Sequence, residues 1–277
     1  MESVRHLPRG LARFYIDILD WTVPRLRQTA LRNLEFAMPQ LGPRERRRLV
    51  DAVYRSAARW LFAFARLPDI TKENVAEWIR YEGYEHFEEA MARGHGVIFA
   101  TGHLGAWELS AHAHALMSAP MSIVVRPLDN PKLEAWATRM RTLSANRIIG
   151  RDDYARPILK ALKRNEAVGI LIDQNMTADR GLFVDFFGRK ACVESGVARI
   201  AARTGAAVIP GFALWSDAEN KFVLRFYPPV EIQGNAQADT QRVQRALEDA
   251  IREHPDQWLW IHRRWKTRPE GEAEIYP

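Results

Sequence analysis

The segment His103-Leu104-Gly105-Ala106-Trp107-Glu108 places an imidazole and a carboxylate five positions apart. Those two groups are the parts of a general base and its orienting partner. Five residues along one continuous helix is a rotation of about 500°, which would leave the side chains about 140° apart. His103 and Glu108 can therefore meet only if His103 lies in a loop before the helix. An apolar run at 97–100 and the turn pair Thr101-Gly102 come first, and a helix-forming stretch at 111–117 follows. In that strand–loop–helix setting a neutral His103 could take a proton from an attacking hydroxyl. Glu108 would fix its tautomer and stabilise the imidazolium. His112, four residues after Glu108, is the competing partner on the same helix face.

Two further polar clusters follow apolar runs: Arg126 with Asp129-Asn130, and Asp173-Gln174-Asn175. In open α/β sheets the carboxyl ends of strands share one crevice, so the three clusters are expected to converge on one cleft. There Arg126 would hold a phosphate or a developing oxyanion. Other chemistries find little support. His112 and His114 project about 200° apart on a helix, and no zincin spacing occurs, so no metal site is expected. No Gly-x-Ser-x-Gly elbow is present, and the single cysteine, Cys192, reads as a packing residue. No Walker loop or Gly-x-Gly-x-x-Gly exists, so no nucleotide cofactor is expected.

The elements that must position these residues change character along the chain. Residues 11–34 and 44–66 read as helices. The second carries an apolar stripe of Val50, Val53, Ala57, Leu61 and Phe64, with arginines on its other faces. From residue 97, β-rich runs (97–100, 121–126, 168–173, 206–214, 222–227) alternate with helical stretches near 106–117, 131–144, 153–164, 195–204 and 239–253. Asn130-Pro131 is a helix start. This alternation predicts an α/β fold, a largely parallel or mixed sheet flanked by helices, with a helical N-terminal subdomain. The boundary is expected near residue 70, giving a helical, arginine-rich part (1–70) and an α/β part (71–277).

The net charge of +6 is concentrated early: residues 1–66 hold 13 arginines against six acidic residues. That points one basic face toward an anionic lipid surface or an acidic carrier protein. With no signal peptide and no apolar run near the ~18 residues a span requires, peripheral attachment is expected. Two aromatic segments are ambiguous on pattern alone. Phe183, Phe186 and Phe187, followed by Arg189, read either as a core strand or hairpin or as an apolar channel lining. The segment 258–266, with three tryptophans among four cations, reads as cation–π packing, an interfacial belt or a base-stacking surface.

Taken in order, these motifs resemble the bacterial lipid A late acyltransferases, which are related to the glycerol-phosphate acyltransferases. The resemblance runs through Arg32-Asn33-Leu34, His103-Leu104-Gly105, Trp107-Glu108, Arg126-Pro127, Asn130-Pro131 and Gly169 to Gln174. It continues with Phe186-Phe187-Gly188-Arg189, Trp258-Leu259-Trp260 and His262 to Lys266. It implies direct acyl transfer from an acyl carrier protein thioester to a hydroxyl of a lipid A precursor or related glycolipid. A different membrane glycolipid or phospholipid acceptor, such as a mannosylated phosphatidylinositol, is the alternative, and the basic charge leaves a non-enzymatic anion-binding protein as the more distant one. His103 and Glu108 would be catalytic. Arg126, Asn130, Asp173, Gln174, Phe186, Phe187 and Arg189 would contact substrate. The work would be done at the cytoplasmic face of the inner membrane, with no nucleic acid involved. Two positions depart from the family pattern: Gly102 and Ala106 stand where relatives usually carry asparagine.

Overall fold

The computed structural model describes residues 21–150 and 154–276. The first part of the expected helix at 11–34 lies outside them. Two helices open the described chain, α1 (Pro24–Ala37) and α2 (Pro43–Ala65). Pro43 begins α2, and the Gly42 backbone N–H donates to the Glu45 carboxylate at 2.7 Å, closing its first turn. The stripe buries Val50, Val53 and Phe64 as its period requires, whereas Leu61 is exposed.

A short helix α3 (Val75–Trp78) leads into strand β1 (Ile79–Glu82) and helix α4 (Tyr84–Ala92). The α/β alternation then runs β2 (Val97–Thr101), α5 (Trp107–Met117), β3 (Ser122–Val125), α6 (Pro131–Thr142), β4 (Arg147–Gly150), α7 (Ala155–Lys163) and β5 (Ala167–Leu171). A hairpin of β6 (Leu182–Phe186) and β7 (Arg189–Val193) follows, and after it α8 (Gly196–Thr204), β8 (Ala207–Ser216), β9 (Lys221–Phe226) and α9 (Ala236–Glu253). The seven-stranded sheet has the order β1-β9-β8-β2-β5-β3-β4. Five strands, β8 through β4, run parallel; β9 returns antiparallel to β8, and β1 lies parallel to β9. The sequence offers no strand at β1 or β4. Each is a four-residue edge strand carrying charge or glycine, which is how sheet edges are kept from further pairing.

Side chains alternate across the sheet. Phe99, Ile123 and Leu224 face α5, packed with Leu109 and Ala113 of that helix. Ile98, Ala100 and Val168 face the other way, onto α7 and α8. A third cluster joins α1 and α2 to the β6–β7 hairpin and the C-terminal tryptophans. The sheet also opens at one place. β3 stays paired with β4 through Val125 opposite Gly150, but pairs with β5 only at Ser122–Val168 and Ile123–Gly169. Beyond those pairs β3 and β5 part.

Candidate active site

The parallel register of β2 and β5 sets Thr101 opposite Leu171, and the ladder continues with Ile172 N–H donating to the Thr101 carbonyl at 2.9 Å. Two residues beyond each strand, His103 and Asp173 meet. The His103 Nδ1 lies 2.9 Å from Asp173 Oδ1, and the His103 backbone N–H donates to Oδ2 at 2.7 Å. Trp258 Nε1–H donates to the same Oδ2 at 2.9 Å. Asp173 is completely buried. Burial pushes its carboxyl up, but the His103 charge and hydrogen bond, the His262 charge and the Trp258 N–H outweigh it, so its pKa is held well below the usual carboxylate range. Burial likewise opposes protonation of His103, yet the Asp173 charge and hydrogen bond, with the Glu108 charge, raise its pKa above the ordinary value. A carboxylate on Nδ1 makes that nitrogen the N–H of neutral His103 and leaves the lone pair on Nε2.

Glu108 has a different partner from the one expected of it. Arg141 of α6 grips its carboxylate from two nitrogens, with Nη2 2.7 Å from Oε1 and Nε 3.1 Å and 3.2 Å from Oε1 and Oε2. The orienting carboxylate of His103 is therefore Asp173. The reason is geometric: α5 begins at Trp107, so Glu108 in its first turn faces α6, while strand register delivers Asp173 directly. His112 does not take Glu108 either; its Nε2 lies 3.1 Å from the Ile70 carbonyl oxygen.

A C-terminal strap closes over this dyad. Leu259 N–H donates to the His103 carbonyl and Gly105 N–H to the Gln257 carbonyl, both at 2.9 Å. His262 spans the Leu259 and Asp173 carbonyl oxygens at 2.8 Å and 3.0 Å. Asn33 of α1 holds the strap from behind, donating to the Trp260 and His262 carbonyls at 2.6 Å and 2.8 Å. Trp258, Trp260 and Trp265 are fully buried, so the tryptophan-rich segment is a core wedge and not an exposed stacking surface or belt. Two glycines permit the close packing. A Cβ on Gly105, at φ +67°, would sit 1.9 Å from the Ala213 carbonyl oxygen; one on Gly102 would sit 3.2 Å from Asp173 Oδ2. Gly102 thus leaves room for both Asp173 and Leu247, whose Cδ1 would lie 3.0 Å from such a Cβ.

A cavity of about 500 Å³ opens at His103. Trp107, Glu108, Arg141, Arg126 and Gln174 are among its lining residues, and its walls are mainly aliphatic and aromatic. Arg126 is exposed and lies 3.3 Å from Asp129. Asn130 stays outside the cavity lining, and its side chain accepts the Lys132 and Leu133 N–H groups as the cap of α6. Phe186 and Phe187 also stay outside it, packed against Trp258, Trp265 and Trp260 in the core. Arg189 donates to the Phe36 carbonyl at 3.2 Å and covers the Phe36 ring. The hairpin pattern is satisfied by core packing, which the sequence leaves as an even choice with a channel. Arg141 carries no sequence signal that separates it from an ordinary helix position, and Trp258 stands out only as part of the tryptophan-rich segment, not as a partner of Asp173. Asp173 stands out in the sequence as a strand-end acid, but its pairing depends on register.

Fold and site together define an α/β enzyme with a carboxylate-oriented histidine at the strand ends, above a largely apolar cavity. The chain belongs to the bacterial lipid A biosynthesis acyltransferase family, whose model matches residues 1–267, and it is an acyltransferase. It is 29% identical over 255 residues to a lipid A biosynthesis palmitoleoyltransferase of Escherichia coli K12, covering 91% of this chain and 82% of that one. A lipid A biosynthesis lauroyltransferase of the same strain is 29% identical over 248 residues, covering 88% and 80%. A lipid A biosynthesis acyltransferase of Haemophilus influenzae Rd is 24% identical over 246 residues, covering 89% and 77%.

Proposed function

We propose that this protein transfers a fatty acyl chain from an acyl carrier protein thioester directly to a hydroxyl of a lipid A precursor, with His103 as the general base. The observation that carries the reading is the His103–Asp173 pair, with Nε2 of His103 free of the carboxylate and its side chain lining an apolar cavity. Nε2 takes the acceptor hydroxyl proton as the oxygen attacks the thioester carbonyl. Asp173, ionised by its three donors, stabilises the imidazolium. The tetrahedral intermediate collapses with cleavage of the C–S bond, and the imidazolium returns the proton to the departing thiolate. Arg126, at the cavity rim, is the cation for a substrate phosphate or the oxyanion. Glu108 acts through charge and through its grip on Arg141.

No helix among the described residues is long and apolar enough to cross a membrane. Peripheral attachment at the cytoplasmic face of the inner membrane is supported by exposed Leu61, Leu128, Leu133 and Trp136, together with the arginine-rich helices α1 and α2. The test is incubation of purified protein with acyl carrier protein thioesters and lipid A precursor, read by mass spectrometry. One added acyl chain on the precursor is expected. Thioester hydrolysis without any acylated product would overturn the assignment.

A further inference from the structure

The cavity does not stay on one side of the sheet. Phe99, Ile123 and Leu224, which pack toward α5, line one part of it. Val124, Ile170 and Val197, which belong with the opposite face and α8, line another. Ile123 and Val124 are neighbours in one strand, so they point to opposite faces. A single cavity reaches both only by passing between strands or around their carboxyl ends. The passage is where β3 and β5 part after Ile123–Gly169, beside the strand ends that carry His103 and Asp173. The Val124, Ile170 and Ile172 side chains there are only partly buried, although they lie between packed layers. An apolar surface left open in that position is what a hydrocarbon occupant would cover.

We propose that the cavity has two apolar arms, one on each face of the sheet, which hold two hydrocarbon chains at once. The arm beneath α5 takes the chain being transferred. The arm beside α8, lined by Val124, Ile170 and Val197, takes a chain already carried by the acceptor lipid. The proposal rests on the acyl-transfer reading above. It makes the acceptor's own acylation a recognition element and requires both substrates to be bound before the transfer step.

Val197→Trp, Val197→Ala and Ile123→Trp are compared with the unaltered protein, using acyl carrier protein thioesters of several chain lengths and acylated lipid A precursor. Val197→Trp is expected to raise the acceptor KM roughly tenfold or more, the scale at which an apolar pocket discriminates. Donor KM, donor chain-length preference and acceptor-independent thioester hydrolysis should stay unchanged. Val197→Ala, which keeps the helix and removes lining, should raise the acceptor KM a few-fold. Ile123→Trp should instead shift donor preference to shorter chains. If the Val197 variants alter donor preference or donor KM, the arm holds part of the donor, and the proposal is overturned. An unchanged acceptor KM in Val197→Ala and in folded Val197→Trp overturns it as well, while leaving wild-type transfer intact. Absence of transfer by the wild type would overturn the reaction assignment itself.

Discussion

At His103 two carboxylates act on one imidazole, and their effects separate by distance and bonding. Asp173 is hydrogen-bonded to Nδ1, whereas Glu108 contributes charge from its pairing with Arg141. His103→Ala should lower transfer by roughly 10²–10⁴-fold, the usual scale for a positioned acid–base group, with the circular dichroism spectrum unchanged. Asp173→Asn should cause a loss in kcat on the same order, since an amide cannot stabilise the imidazolium. The pH profile gives the sign. The base must be neutral, and its pKa is raised in the folded protein, so kcat/KM should fall as pH drops through a value above about 6.5, the ordinary histidine range. Without the Asp173 charge that inflection should move to lower pH in the Asp173→Asn variant. An inflection that stays in place would mean that Asp173 does not set the His103 protonation state.

Helices α5 and α6 are joined across the cavity by Glu108 and Arg141, whose side chains are 8% and 13% exposed. Removing one member of a buried pair leaves a desolvated charge, at a cost of about 3–5 kcal/mol, while replacing both by apolar groups is often neutral. Glu108→Ala should therefore lower the denaturation midpoint strongly, and Glu108→Leu combined with Arg141→Met should restore most of it. Equal stability in the single and double variants would show that the pair does not brace the helices. The β6–β7 hairpin illustrates a different element-scale device. Phe187 adopts φ +57° and Gly188 φ +69° in its two-residue turn. An aromatic residue is held in that conformation by the Glu248 carboxylate on its N–H, the Arg252 guanidinium over its ring and the nearby Trp260 ring. Truncation to alanine should cost about 3–5 kcal/mol in urea unfolding, with little change in KM because the side chain lies outside the cavity lining.

Over the whole molecule, charge and exposed apolar surface are distributed unevenly. Arginines crowd the N-terminal quarter, and Leu133 and Trp136 on α6 stand exposed beside the cavity-lining residues Arg126 and Leu128. A face of that kind suits an anionic bilayer, with apolar side chains in the interface and cations against head groups. Sedimentation with vesicles containing anionic lipid should retain the protein at low salt and release it progressively as salt rises. Trp136→Ser should weaken retention while leaving thioester hydrolysis unchanged. Binding that is indifferent to both salt and Trp136 would place the contact elsewhere.

The amino-acid order by itself determined the helix-then-α/β succession, the five inner strands of the sheet, and the placing of His103, Arg126 and Asp173 just beyond strand ends. Those features are local: hydrophobic period, turn residues and caps are written in neighbouring positions. It also carried the family, through motifs spread over most of the chain. The edge strands β1 and β4 escaped because four mixed residues have no period of their own. The choice between Glu108 and Asp173 as the histidine's partner was settled only by tertiary structure. Glu108 is five residues from His103 in sequence, but helix rotation sends it to Arg141; Asp173 is 70 residues away, and parallel register brings it back. The same is true of Phe186 and Phe187, whose pattern fits a channel or a core equally well until the C-terminal tryptophans close over them. Register, strand separation and packing against distant segments are non-local quantities, and on them rest both the dyad and the cavity beneath it.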